Sequence, residues 1–287
     1  MIHHLCSTST TTDMHDTSLN LPETFRAPHL RHLFLMGFVI PIESSLLTTI
    51  ANLVTLDLDC IPPSAYFHPN ALLQRISLMP QLETLGIFFS LHSLSDDVER
   101  QLLPTAIMAP VTLPNLRAFG FQGASVYLEA LLPWVTFPLL EKLHVYFLNY
   151  LAYSIPHLQQ FMSTAESFRP IATTLNFYED YLHMTAYPSC EGVRVYTLTM
   201  ALDGSHLDSQ IFHAIGTVFS AVEHLTLQYD RDLISSGSEW DNEADRTQWR
   251  ELFRTFRNVK HSSSTTSSSG NFLALGNQAQ ESCPQSY

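Results

Sequence analysis

The sequence predicts an α/β protein, an irregular solenoid with parallel strands on a concave face and helices on the convex face. Three observations carry this. The first is the spacing L-x-x-L-x-L, seen in LPNLRAFGF at Leu116, Phe119 and Phe121, which recurs at Leu30/Leu33/Leu35, Leu53/Leu56/Leu58, Leu82/Leu85/Ile87, Leu140/Leu143/Val145, Val195/Leu198/Met200 and Val222/Leu225/Leu227. The second is its period: first positions advance by 23, 29, 34 and 24 residues from Leu30 to Leu140, a loose repeat of leucine-rich-repeat type. The third is what lies between the phrases. Each is followed by an apolar stripe at three- or four-residue spacing, as expected of a helix. Parallel strands need such a crossover, because a tight hairpin joins only antiparallel neighbours.

Taken in order, residues 1–20 are polar and rich in Ser, Thr and His, and are expected to be a disordered lead-in. The solenoid is placed at 21–260. Leu46, Leu47 and Ile50 form one helical stripe, Leu72, Leu73 and Ile76 a second, and Leu94, Val98 and Leu102 a third. Further stripes are Leu128/Leu131/Leu132, Leu158/Phe161/Met162/Ala165, Ile211/Ile215/Val218/Phe219 and Trp249/Leu252/Phe253/Phe256. Pro69 and Pro156 stand where a first helical turn would begin; Pro28, Pro80, Pro114 and Pro138 precede strands they would not interrupt. Between 140 and 195 one copy fits poorly, with Phe168 and then Leu175 and Phe177 after an apparent insertion. Asp230 to Asp245 reads as an acidic loop, either a solvated insertion or a contact for a basic partner. At Val259 another phrase begins, but HSSSTTSSSG replaces its apolar positions, so 261–287 is expected to be a disordered Ser/Thr-rich tail. The abrupt start and the broken last phrase suggest a piece of a longer protein, or a truncated or altered product.

Composition narrows the function. Of 287 residues, 45% are hydrophobic and 14% charged, enough to bury a continuous core. The net charge of −13, with no Lys/Arg cluster, speaks against nucleic acid as a partner and leaves a basic or neutral protein. Four widely spaced cysteines show no zinc or redox pattern, and Asn-x-Ser/Thr sites are absent, which favours a reducing interior, cytoplasmic or nuclear. The longest apolar run, Leu33 to Ile42, is too short to span a bilayer, so no membrane partner is expected. No phosphate cradle, nucleophile elbow or zinc-helix motif occurs, so no catalytic residue, metal or cofactor is assigned and the chain is not expected to be an enzyme.

Alternate strand positions point outward and define a candidate binding face. Its members are Phe34, Asp57, Asp59, Phe88, Gln122, Lys142, His144, Tyr146, His224 and Gln228. Asp57 and Asp59 share a face, either as two solvated acids or as a seat for a cation or a partner's Lys/Arg. The aromatics are binding anchors, or they pack under a covering loop. His29 and His32 lie three apart across a strand entrance, which sends their side chains in different directions and argues against a metal pair. The Asn that follows the strand in regular leucine-rich repeats is missing: Phe38, Ile61, Ser90, Ala124, Leu148 and Asp230 stand there instead.

The phrases TFRAPHLRHLFL, SLMPQLETLGIFF, VTLPNLRAFGFQG, FPLLEKLHVYF and VFSAVEHLTL, with NEADRTQWRELFRTFRNVK, resemble a group of fungal F-box proteins from mushroom-forming species over roughly residues 20–260. The resemblance implies the substrate-receptor part of an SCF-type ubiquitin ligase, in which an F-box docks on the Skp adaptor and the repeats hold a target protein. No F-box is recognisable in this chain, so the adaptor is a partner only if one lies upstream. A stand-alone interaction scaffold unconnected with ubiquitin, and a truncated non-functional product, are the alternatives.

Overall fold

Alternation of apolar and polar residues with a period of two sets the sheet strands, and the stripes between them set the helices. The computed structural model describes residues 19–20, 26–39, 41–62, 65–90, 109–147, 155–164, 171–177, 181–187, 195–201, 222–230, 254, 256 and 258–267. These fall into two units that divide between Phe161 and Met162, where the sequence reading runs one unit over 21–260. The fold is mixed α/β, with parallel strand pairing and few helices.

In the first unit, β1 (Leu19–Asn20) pairs with β3 (Phe38–Val39). The main sheet follows the order β2 (His32–Met36), β4 (Thr55–Ile61), β5 (Thr84–Phe89), β7 (Ala118–Gly123), β9 (Lys142–Phe147), and each neighbouring pair is parallel. A short parallel pair, β6 (Val111–Thr112) with β8 (Val135–Thr136), lies within the crossovers. Helices α1 (Ser45–Thr49), α2 (Pro69–Ile76), α3 (Ser125–Leu131) and α4 (Pro156–Thr164) form at four of the expected stripes. The stripes at 94–102, 211–219 and 249–253 and the loop at 231–245 lie outside the described residues.

Local chemistry starts the first two helices. The Ser44 hydroxyl accepts from Leu47 N–H at 3.4 Å, and His68 Nδ1 accepts from Asn70 N–H at 3.2 Å with Pro69 in the first turn. The N-terminus of α4 is capped from another helix. Glu129 of α3 accepts from the N–H groups of His157 at 2.8 Å and Leu158 at 2.9 Å. Desolvation raises the Glu129 pKa, and these two hydrogen bonds act against the rise.

The ladder register stacks the inward positions in rows. Leu33, Leu56, Leu85, Phe119 and Leu143 form one, and Leu35, Leu58, Ile87, Phe121 and Val145 another. All are buried except Leu35, which with Leu30 is half-buried on the edge strand side. Tyr127 of α3 is fully buried against Phe89 and Phe121, at ring-centroid distances of 5.1 and 5.7 Å, and so pins that helix to the sheet.

The second unit departs from the expected pattern. Its sheet has the order β14 (His261–Ser267), β13 (His224–Asp230), β10 (Ala172–Phe177), β11 (Tyr181–Tyr187), β12 (Val195–Ala201). Here β11 runs antiparallel to both β10 and β12, while β10–β13 and β13–β14 are parallel. The expectation of parallel strands throughout therefore fails between 172 and 201. The physical reason is the short link at 178–180, which admits a hairpin but no crossover. The extra strand follows the poorly fitting copy, with Leu182, Met184 and Ala186 buried in alternation.

The tail boundary also shifts. Residues 261–267, assigned to a disordered tail by their composition, form β14 and pair with 224–230. Main-chain hydrogen bonds are indifferent to the hydroxyl side chains, and Thr favours extended backbone. The register sets Ser262 opposite Leu225, yet Ser262 is exposed. The seven residues after 260 thus continue the pairing without continuing the apolar core.

Candidate functional site

The outward positions of the first unit combine into a continuous surface because the parallel ladder has no stagger over its first rows. His32, Thr55, Thr84, Ala118 and Lys142 form the first row, with His32 Nδ1 3.1 Å from Thr55 Oγ1. The second row is Phe34, Asp57, Gly86, Gly120 and His144. Beyond it lie Met36 beside Asp59, and Phe88, Gln122 and Tyr146 in sequence.

The two glycines shape the second row. A Cβ on Gly86 would stand 2.7 Å from both Asp57 Oδ1 and Phe88 Cε2, and one on Gly120 would stand 2.6 Å from Phe88 Cζ. Asp57 and the Phe88 ring therefore occupy the space these residues leave, and the ring lies over the backbone of β5 and β7. Asp57 Oδ1 is buried there with no hydrogen-bond partner among the described residues. Desolvation, followed by the charge of Asp59, holds the Asp57 pKa above the usual carboxylate value. On the open side, Phe34 and Met36 are 47% and 45% exposed, unusually high for large apolar side chains on one strand.

Strand β4 carries a bulge beside the acids. Its register with β5 shifts between Leu58 and Ile61, and Cys60 takes a left-handed φ of 52°. Asp59 Oδ1 accepts from Cys60 N–H at 2.7 Å and supports the bend. Desolvation and then Asp59 push the Cys60 thiol above its usual range, which makes it a poor nucleophile.

The remaining sequence-predicted residues fall as follows. Gln122 Nε2 donates to the Phe89 carbonyl at 3.0 Å, Lys142 and His144 are exposed, and Tyr146 is half-buried. Desolvation from its neighbours lowers the His144 pKa. His224 and Gln228 are half-buried on β13 and belong to the second unit. Met36, Gly86 and Gly120 fall on the outward face by the same alternation, though they are not among the candidate binding residues; two outward glycines inside strands were the signal for their part in the site. His29 helps line an open hollow of about 420 Å³ with Arg31, Asn52, Val54, Gln81 and Glu83. Among the described residues, no three His, Cys, Asp or Glu side chains gather as metal ligands, and no helix is long and apolar enough to cross a membrane.

The arrangement places an acid with an unused acceptor beside aromatic surface. Comparison of the chain with family models, with curated proteins and with solved structures found no match.

Proposed function

We propose that this chain is a protein-binding repeat module, an irregular leucine-rich-repeat solenoid whose outward sheet face holds a target. The observation that carries the reading is the outward row of the first unit, where exposed Phe34 and Met36 flank Asp57 and Asp59 on a parallel ladder whose inward rows are buried leucine, isoleucine, valine and phenylalanine. Apolar anchors beside polar groups are the usual make-up of a protein-binding patch. The resemblance of its phrases to fungal F-box proteins adds the role of substrate receptor in an SCF-type ubiquitin ligase, non-enzymatic and intracellular, with the Skp adaptor a partner only if an F-box lies upstream.

The test is a pull-down with proteomic readout. The bait is this chain, and beside it the same chain joined to an F-box, each with the Skp adaptor present. The receptor reading expects both baits to capture one common protein, and only the joined form to capture the adaptor. A common protein whose abundance never responds to the joined form in cells would point to a stand-alone scaffold. Failure of both baits to capture anything reproducibly overturns the module reading.

A further inference from the structure

We infer that Asp57, flanked by Phe34 and Phe88, forms a subsite for one cationic side chain, Lys or Arg, presented by the protein bound to this face. The inference rests on the binding-module reading and specifies the chemistry of its central contact.

The argument starts from an imbalance. Asp57 Oδ1 is buried without a donor, and a desolvated carboxylate with no partner is costly unless something compensates it. The surrounding sheet supplies nothing: the facing residue on β5 is Gly86 and the facing residue on β2 is Phe34. Neither has a polar side chain. Asp59, two residues away on the same face, adds negative charge and spends one oxygen on Cys60 N–H. Oδ1 is closed off beneath Gly86 and the Phe88 ring, so the compensating charge must come to the half-exposed remainder of the Asp57 side chain from outside, and the local sign of charge selects a cation over a neutral amide.

The aromatic rings strengthen the choice. The Phe88 ring lies over Gly86 and Gly120 beside Asp57 Oδ1, and Phe34 stands exposed on the other flank. A cation brought to the carboxylate would meet ring surface on both sides, where the ring quadrupoles attract it. The planar guanidinium of Arg suits this slot best, because it stacks on a ring while its edge donates to an acid. The chain as a whole carries a net charge of −13, which steers a basic partner toward the face.

The experiment uses small probes on the full chain, followed by NMR at the Asp57 carboxyl and the Phe34 and Phe88 rings. Nα-acetyl-arginine amide and Nα-acetyl-lysine amide should produce saturable shifts at all three residues, and the uncharged Nα-acetyl-citrulline amide should not. Asp57→Asn should weaken arginine amide binding by about ten- to a hundredfold. Gly120→Ala serves as a second variant. Its Cβ would sit 2.6 Å from Phe88 Cζ and must displace the ring, so it should weaken binding while Asp57 stays in place. No saturable shift at Asp57, equal binding by citrulline amide, or equal binding by Asp57→Asn would each overturn the inference. The two readings fail separately. Should wild type and Asp57→Asn capture the same target equally tightly, the subsite falls and the module stands; should arginine amide saturate Asp57 while no protein is captured, the module falls and the cation site stands.

Discussion

The two units share one inward logic and differ on the outward side. In both, Leu or an equivalent apolar residue recurs at alternate strand positions and is buried, as at Leu56, Leu85 and Leu143 in the first unit and Leu175, Leu182 and Leu225 in the second. Outward, the first unit mixes aromatics, acids and glycines, whereas the second aligns hydroxyls. Thr197, Thr185, Thr174, Thr226 and Ser263 form one row across five strands, with Thr226 Oγ1 3.2 Å from Ser263 Oγ. The lesson is that burial holds the inward phase largely to apolar side chains, with the buried Thr173 on β10 and the exposed Ser262 on β14 as departures in the second unit, while the outward phase is free to diversify. A site is therefore to be sought where the outward chemistry is irregular, which is the first unit.

The largest expected effects test the shared logic. Leu85→Ala in the first unit and Leu175→Ala in the second should each cost about 2 to 5 kcal/mol in urea unfolding, from lost burial plus the cavity left behind. A loss under about 0.5 kcal/mol at either position would break the claim that the two inward phases are equivalent.

Next comes a feature of the first unit. Glu129→Ala removes the acceptor for two N–H groups at the start of α4 and should cost about 1 to 2 kcal/mol, with Glu129→Gln recovering part of it. Hydrogen exchange at His157 and Leu158 should accelerate in the alanine variant. An unchanged exchange rate would show that this crossover helix needs no cap from its neighbour.

The outward difference is sharpened by pH. Because the folded-state pKa of Asp57 is raised, ionisation opposes folding: the contribution is fully favourable below the ordinary carboxylate value of about 4 and is lost as pH rises through the raised value. Asp57→Asn should thus gain stability over wild type as pH rises from about 4 toward neutrality, and the two should converge in acid. A difference that does not vary with pH would mean that Asp57 is not desolvated, and the outward chemistry of the two units would then be more alike than described.

The smallest effects belong to a position the units have in common. The residues before β7 and β9 in the first unit, Arg117 and Glu141, form an ion pair, as do those before β13 and β14 in the second, Glu223 and Lys260, at 2.8 Å. Arg117, Lys260 and Glu223 are exposed and Glu141 is half-buried. Glu141→Gln and Glu223→Gln should each change stability by less than about 0.5 kcal/mol; a larger loss at one alone would mark a real electrostatic distinction between the ladders.

Much of this was legible in the residues. Phases, helical stripes and the prolines at Pro69 and Pro156 are local properties, and the outward assignments of Phe34, Asp57, Phe88 and Gln122 followed from phase alone. Strand β11 was not, since YLHMTAY carries alternation but no L-x-x-L-x-L, and β14 was hidden by a Ser/Thr composition that main-chain pairing ignores. The bulge at Cys60 had no sequence signal, because Cys has no preference for left-handed backbone.

The sequence by itself determined which side of each L-x-x-L-x-L strand is apolar and where two helices begin, at Pro69 and Pro156, because a pleat and a helical turn project side chains by fixed geometry. Only the tertiary structure decided which strands are neighbours, that β10 lies between β11 and β13, and that Asp57 ends beside two glycines and under a phenylalanine ring. Pairing of distant segments depends on loop lengths and on competition among edges. The fate of a carboxylate depends on what its neighbours across the ladder happen to lack.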